Sequence, residues 1–573
     1  MAVENLITEH IDIWTSAVKT KSTSGRGSSK KLELYGVNKL RELILELAVR
    51  GKLVPQDPND EPASVLLERI AAEKAQLVKD GKIKKSKGLG EISEDDRLKN
   101  IPSIWETARL GNLLYVEMGQ SPASKYYNQD HNGVPFFQGK ADFGERYPTA
   151  RYWCVQPQKY AYEGDVLLSV RAPVGPTNIS TEECCIGRGL AALRPISGVP
   201  TNYIYYMMQG FRKTLESFAT GTTFVAVSKV NVENLIISVP PLKEQHRIVD
   251  KVDELMTLCD QLEQQTEASI EAHQVLVTTL LDTLTNSADA DELMQNWARI
   301  SEHFDTLFTT EESIDQLKQT ILQLAVMGKL VPQDPSDEPA AKLLKRIAEE
   351  KAQLVKEKKV KKQKALPPIA EDEKPFELPS GWEWCRLGQI GYDLGGGTPS
   401  KSNSKYWDGE IPWVSPKDMK VDFIESAIDT VTEKAIKETT IKLIPKNSLL
   451  MVVRGMILAH SFPVALTNKD VVINQDMKAL VFSNIDPHYL LTVMKATKTT
   501  FTDLVDRSSH GTCKLISEKL WNVTLAIPPL NEQKKINMML EQIMDICEQL
   551  KQGIRKKYQS QLHLTDTIVE QAV

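Results

Sequence analysis

Two stretches of the chain space their apolar residues 4-3-4-3. After Pro241 these residues are Ile248, Val252, Leu255, Cys259 and Leu262; after Pro529 they are Ile536, Leu540, Ile543, Cys547 and Leu550. Such a spacing is a heptad seam, and each seam predicts a helix of about 40 residues, roughly 60 Å long at 1.5 Å per residue. Both seams place a cysteine at the same slot, where core packing accounts for it. The two seams are expected to pair with each other, antiparallel, about a pseudo-two-fold axis. Shorter amphipathic helices are predicted over 40–53 and 317–330, stopped at Gly51-Lys52 and Gly328-Lys329 before Pro55 and Pro332. Turns of the form VPQDP-x-DEPA then lead into helical patterns over 66–79 and 343–356.

These patterns are copies. Residues 40–79 and 317–356 are identical at 30 of 40 positions, at an offset of 277. Duplication is the source of such a match. Pro102-Ser103-Ile104-Trp105-Glu106 matches Pro379-Ser380-Gly381-Trp382-Glu383, and Arg109-Leu110-Gly111 matches Arg386-Leu387-Gly388. Pro240-Pro241-Leu242-Lys243-Glu244-Gln245 matches Pro528-Pro529-Leu530-Asn531-Glu532-Gln533 at an offset of 288, so the second copy carries an insertion, placed at 421–440. The halves are read as 1–285 and 286–573, joined at the polar stretch 286–291.

Between the matched flanks the halves diverge. Residues 112–227 and 389–516 share only anchors. Gly119-Gln120-Ser121-Pro122 sits against Gly396-Gly397-Thr398-Pro399, and Leu167-Leu168-Ser169-Val170-Arg171 against Leu450-Met451-Val452-Val453-Arg454. About 30 of the 37 aromatic residues fall within 101–240 and 378–528. Short apolar runs at 165–170, 235–239, 448–453, 471–473 and 479–482, broken by Gly, Pro and Asn, predict strands. The fold class expected is α/β: two globular mixed α/β domains separated by long helices. The boundaries are 1–100 (helical repeat), 101–240 (first insert), 241–377 (long helix and second repeat copy), 378–528 (second insert) and 529–573 (second long helix).

Composition narrows the function. With 41% hydrophobic and 25% charged residues the chain is ordinary globular protein. A net charge of −6 argues against a uniformly basic coat, although local basic surfaces remain open. No apolar run approaches the roughly 18 residues of a membrane span. The first residues carry no signal-type segment, and seven scattered cysteines form no C-x-x-C pair, so a cytoplasmic, reducing setting is expected. The basic runs at 82–87 and 358–364 read either as solvated linkers or as contacts to DNA phosphate.

Catalytic motifs are missing. Gly25-Arg26-Gly27-Ser28-Ser29-Lys30 lacks the spacing of a phosphate-cradling loop, and Gly395-Gly396-Gly397 runs into Thr398-Pro399. There is no Asn-Pro-Pro-aromatic or Asp-Pro-Pro-aromatic box to hold a base amine, and no H-E-x-x-H. His10-Ile11-Asp12 and His303-Phe304-Asp305 repeat without a third partner and read as structural, and Cys184-Cys185 are too close for an ordinary bridge. No catalytic residue and no metal ligand is nominated.

The duplicated A-V-x-G-K-L-V-P-Q-D-P-x-D-E-P-A and the P-P-L-x-E-Q that opens each long helix resemble type I restriction–modification specificity (S) subunits, the HsdS family. So do G-D-V-L-L-S-V-R-A-P-V-G at 164–175 and C-I-G-R-G-L-A-A at 185–192. The VPQDP segments look most like the type IB subgroup. The second insert has Ile473-Asn474-Gln475-Asp476 in place of Ile186-Gly187-Arg188-Gly189, so a role for Arg188 does not carry across.

The resemblance implies a non-catalytic subunit in which each insert is a target recognition domain reading one half of a split, asymmetric double-stranded DNA target. The long helices would space the domains and dock two modification (methyltransferase) subunits. Restriction/translocase subunits would complete the complex. S-adenosylmethionine, ATP and Mg would serve those partners, with no cofactor bound by this chain. Base readout needs donors and acceptors on loops that reach the major groove. Candidates in the first insert are Ser121, Gln138, Lys140, Asp142, Arg171 and Arg188, with Thr222 and Thr223 near its end. In the second they are Thr398, Ser415, Lys417, Asp418, Arg454 and Gln475, with Ser509 and His510. Arg171 and Arg454 serve equally well as braces for their own strands. Two other classes compete. A self-sufficient DNA methyltransferase needs the cofactor loop and amine box that are missing. A non-DNA helical scaffold has no use for two aromatic-rich inserts that diverge within one frame.

Overall fold

The computed structural model describes residues 3–21, 31–84, 89–218, 226–507 and 512–573. The chain divides into two units: the first holds 1–270 and 556–573, the second 271–555. Each has its own hydrophobic core.

The first unit opens its recurrent frame with the helix Tyr35–Val49, then Ala63–Lys79. The second repeats it as Glu311–Val326 and Ala340–Lys356. The stop after the first helix of each pair is fixed by glycine for two reasons. Gly51 and Gly328 have φ of +69° and +72°. A Cβ there would also lie 2.6 Å from the Pro102 ring and 2.5 Å from the Pro379 ring, closer than carbon atoms approach. The lysine of E-K-A-Q-L-V-K ties the next helix to the start of the insert. Lys74 Nζ donates to the carbonyls of Gly111 (2.5 Å) and Leu114 (2.8 Å), and Lys351 Nζ to that of Gly388 (2.8 Å). Burial pushes the Lys74 pKa down to about 8, and that of Lys351 in the same direction.

The inserts are mixed α/β. In the first, an antiparallel sheet runs Thr177–Ile179, Val166–Ser169, Leu190–Pro195, Leu114–Met118. A second sheet runs Tyr127–Asn128, Tyr152–Cys154, Val134–Phe137, Cys184–Ile186, Tyr160–Ala161, with Val134–Phe137 and Cys184–Ile186 parallel. In the second insert the corresponding sheets are Gly391–Gly395, Met477–Phe482, Leu449–Val452, Val464–Thr467, Phe423–Ile424 and Asp429–Val431, Trp407–Val414, Val472–Ile473. The insertion expected at 421–440 starts later than its first residues: Val134 pairs with Cys154 as Ile411 pairs with Val431, a constant offset of 277, so the extra chain begins beyond Val431, where the helix Glu433–Glu438 lies. The runs read as strands are strands: Val166–Ser169 and Leu449–Val452 are buried at every residue, which is why they are apolar without alternation.

The long helices span Leu242–Thr285 and Leu530–Ala572, 44 and 43 residues. Each seam contributes to the core of the unit in which its helix begins. Ile248, Val252, Leu255, Cys259 and Leu262 are buried in the first unit's core with Leu40, Leu43 and Leu47 of the short helix. Ile536, Leu540 and Cys547 are buried in the second unit's core with Ile314, Leu317 and Ile321, and Ile543 and Leu550 pack against it. The duplicated short helix brings an apolar face of its own to the same core. Ion pairs flank it: Arg41 reaches Asp260 (2.7 Å) and Glu263 (2.5 Å), and Lys551 reaches Asp315 (2.9 Å). The division at residue 285 also shifts. Val277, Leu281 and Leu284 belong to the second core, and Ile568 to the first. All seven cysteines are buried free thiols.

Candidate nucleic-acid interface

A buried clamp sets the base of each insert. Glu244, in P-P-L-x-E-Q, accepts the Trp105 indole N–H (2.9 Å) on one carboxylate oxygen and the Gln56 side-chain amide (2.7 Å) on the other. Glu532 accepts from Trp382 (3.0 Å) and Gln333 (3.2 Å). Gln245 and Gln533 each donate back to the carbonyl of the preceding proline pair, Pro240 and Pro528, at 3.0 Å. Burial raises the pKa of both glutamates; the donated hydrogen bonds oppose it only in part. The motif lines up with the two-stranded pairing of Glu106–Arg109 with Ile236–Val239, and of Glu383–Arg386 with Thr524–Ile527, which closes each insert at its ends.

On that base, four loops converge in each insert through the same backbone bonds. In the first, Gln120 N donates to Ile186 O (3.0 Å), Gly187 N to Phe137 O (2.8 Å) and Val170 N to Gly189 O (2.9 Å). In the second, Gly397 N donates to Ile473 O (2.9 Å), Asn474 N to Val414 O (2.9 Å) and Val453 N to Asp476 O (2.8 Å). The approach is close enough to need glycine: a Cβ on Gly119 would lie 2.1 Å from Gly187 O, and one on Gly396 1.8 Å from Asn474 O. The frame aligns Ser121 with Thr398, Gln138 with Ser415, Arg171 with Arg454, and Arg188 with Gln475.

The structure therefore gathers most of the sequence candidates into two equivalent clusters. Ser121, Gln138, Lys140, Arg171 and Arg188 are exposed in the first; Thr398, Lys417, Arg454 and Gln475 are exposed in the second, with Ser415 half-buried. The Ser121 hydroxyl accepts from Arg188 N at 3.2 Å, and the Thr398 hydroxyl donates to the Gln475 side-chain oxygen, so each pair couples two loops. Arg171 and Arg454 are braces as well, since their backbones bridge to Ala226 and Lys514. The Arg454 guanidinium stands 3.9 Å from Asp476.

Two candidates take a different role. Asp142 is 3% exposed. Its carboxylate accepts the backbone N–H groups of Gln138 (2.7 Å) and Gly139 (3.3 Å) and pairs with Arg151 (2.5 Å). Asp418 accepts from Ser415 N and Oγ (each 2.8 Å) and from Ile428 N (2.9 Å). Both hold the loop that presents Gln138–Lys140 or Ser415–Lys417, because a short carboxylate after a strand satisfies the turn's own N–H groups. Thr222, Thr223, Ser509 and His510 lie outside the described residues, as do 85–87 of the first basic run. In the second run Lys358, Lys359, Lys361, Lys362 and Lys364 are exposed. Arg151 escaped the sequence reading: nothing in the row links it to an aspartate nine residues earlier. Among the described residues no group of His, Cys, Asp or Glu is arranged to hold a metal ion, and no helix is long and apolar enough to cross a membrane.

The geometry is that of a duplicated scaffold presenting two polar loop clusters of different composition. The sequence profile described as "Type I restriction modification DNA specificity domain" matches residues 102–272 and 379–558, taking in both clusters and the Trp–Glu pair of each clamp. The chain belongs to the type I restriction enzyme specificity subunits. It is 42% identical to the type I restriction enzyme EcoAI specificity subunit and 41% identical to the EcoEI specificity subunit, both of Escherichia coli, over 100% of each chain. A crystal structure of the HsdS subunit from Thermoanaerobacter tengcongensis matches 44% of this chain and 62% of its own at 30% identity, with a TM-score of 0.27.

Proposed function

We propose that each loop cluster reads one half of a split DNA target, the first through Ser121, Gln138, Lys140, Arg171 and Arg188, the second through Thr398, Ser415, Lys417, Arg454 and Gln475. As a specificity subunit the chain is the non-catalytic, DNA-recognising part of a restriction–modification assembly. The observation that carries the assignment is the pairing of one backbone frame with two sets of exposed side chains. A frame kept by hydrogen bonds and glycines holds the loops in place, while the side chains at equivalent positions differ, as two base sequences require. Arginine suits guanine O6/N7 and glutamine suits adenine N6/N7, because each presents two groups in the plane of the base edge.

In this reading two modification subunits and the restriction/translocase subunits join the chain, S-adenosylmethionine, ATP and Mg serve those partners, and the complex works in the cytoplasm. The type IB subgroup fits the duplicated VPQDP frame. Selection from a random duplex pool by the complex with its modification partner tests the assignment. The expected result is two defined half-sites separated by a spacer of fixed length and free sequence. A single continuous site, or no enrichment, would overturn it. Incubation of the purified chain alone with labelled S-adenosylmethionine and the selected duplex should give no incorporation.

A further inference from the structure

The two clusters differ in more than one side chain. At the oxygen of Asp142 that is not used by the loop, the first cluster places the guanidinium of Arg151 (2.5 Å to Nη2), so Arg151, Arg171 and Arg188 carry charge around one set of loops. At the matching oxygen of Asp418 the second cluster places the backbone N–H of Ile428 (2.9 Å), whose side chain is 72% exposed. Arg171 is followed by Ala172 and Pro173; Arg454 is followed by Gly455, Met456 and Ile457, with Met456 64% and Ile457 45% exposed. Gly455 has φ +131° with open space at its Cβ position, and leads into the short helical turn Met456–Ala459. Asp476 draws Arg454 toward itself, and Gln475 stands where the first cluster has Arg188.

Large apolar side chains held in water forgo the free energy of burial and call for a covering surface. Here they are attached to the same carboxylate and the same strand end as the polar readers, so whatever covers one touches the other. In the major groove the apolar group that a base edge offers is the thymine 5-methyl. We infer that Ile428 and Met456 of the second cluster contact thymine methyl groups, and that this cluster reads A·T pairs by methyl contact and the Gln475 amide, where the first relies on guanidinium groups. This rests on the DNA-reading assignment above.

The test uses the complex with its modification partner and the duplex selected from a random pool. Each thymine is replaced in turn by uracil, which deletes only the methyl group. Burial of one methyl corresponds to about a fourfold change in affinity. Uracil in one half-site should weaken binding by about that factor at one or two positions, and thymines of the other half-site should show no effect. With Met456→Gln or Ile428→Ser the sensitivity should disappear at its position, and with Met456→Leu it should persist, which separates a lost contact from a misfolded loop. Specific binding that is indifferent to uracil throughout, including a Met456→Gln loss without uracil sensitivity, overturns the inference while leaving the DNA-reading assignment intact. So does a selected site with no thymine in either half. Absence of any selected site overturns the assignment itself.

Discussion

The Trp105 indole donates to the Glu244 carboxylate at 2.9 Å across 139 residues, and Trp382 donates to Glu532 at 3.0 Å across 150. One hydrogen bond thus joins two of the duplicated motifs, and the Gln of VPQDP joins the third to the same carboxylate. The three motifs recur together because they are one clamp, which fixes where each insert begins and where its long helix departs.

Removal of the indole N–H alone should be costly. Trp105→Phe leaves a buried carboxylate oxygen short of its donor, and is expected to destabilise the first unit by about 1–3 kcal/mol. Trp105→Ala adds a cavity, for about 3–5 kcal/mol. Denaturant unfolding checks both, and Trp382→Phe should act on the second unit by a similar amount.

The same carboxylates give the fold a pH dependence. Burial raises the Glu244 and Glu532 pKa above the ordinary value, so the folded state takes up these protons more readily than the unfolded chain. Their contribution to stability is therefore full below the unfolded pKa and is lost as pH rises through the folded pKa. Thermal unfolding of the wild type and Glu244→Gln should show the wild type gaining on the variant as pH is lowered from 7 toward 5. A gap that stays constant, or moves the other way, contradicts the assigned burial.

Much of this was legible in the sequence. The strand runs follow from unbroken apolar residues, and the insertion was legible as an offset change but not in its exact place. The glycine pairs follow from comparing one half with the other, since duplication makes the chain its own alignment. The loop candidates emerged the same way: Ser121 and Thr398, or Arg171 and Arg454, sit in matched anchors. A heptad pattern shows that a helix has an apolar face without naming everything that shares its core; Leu40 and Ile314, themselves on a duplicated amphipathic helix, belong to the same cores as the two seams. Asp142 misled because an aspartate that follows a strand has the same letter whether it meets a base or caps its own turn. The clamp was missed although each of its residues lies in a recognised motif, since pairing between motifs is a property of the folded chain.

The last residues of the second long helix belong to the first unit. Asp566 accepts the Tyr35 hydroxyl at 2.6 Å, Lys52 reaches the Val573 carbonyl at 2.6 Å, and Ile568 is buried in the first core. Deleting 556–573 should lower hydrogen-exchange protection in the helix Tyr35–Val49 and leave Glu311–Val326 protected. Equal loss in both helices would contradict the division into units.

The loop aspartates should matter to specificity through shape. Asp142→Ala removes the acceptor for two backbone N–H groups and the partner of Arg151, at a cost of about 1–3 kcal/mol. The first half-site is expected to be selected less stringently by this variant, with the second unchanged. Asp418→Ala should reverse the pattern. Pool selection with each variant complex is the check.

Independent reading by two clusters is the central claim, and exchange of one insert tests it most directly. Residues 112–227 are replaced by the corresponding insert of a related specificity subunit, leaving the Trp105–Glu244 clamp and all of the second unit in place. Selection from a random duplex pool by the hybrid complex should return one altered half-site and one that is unchanged, at the original spacing. Alteration of both half-sites together would contradict the account.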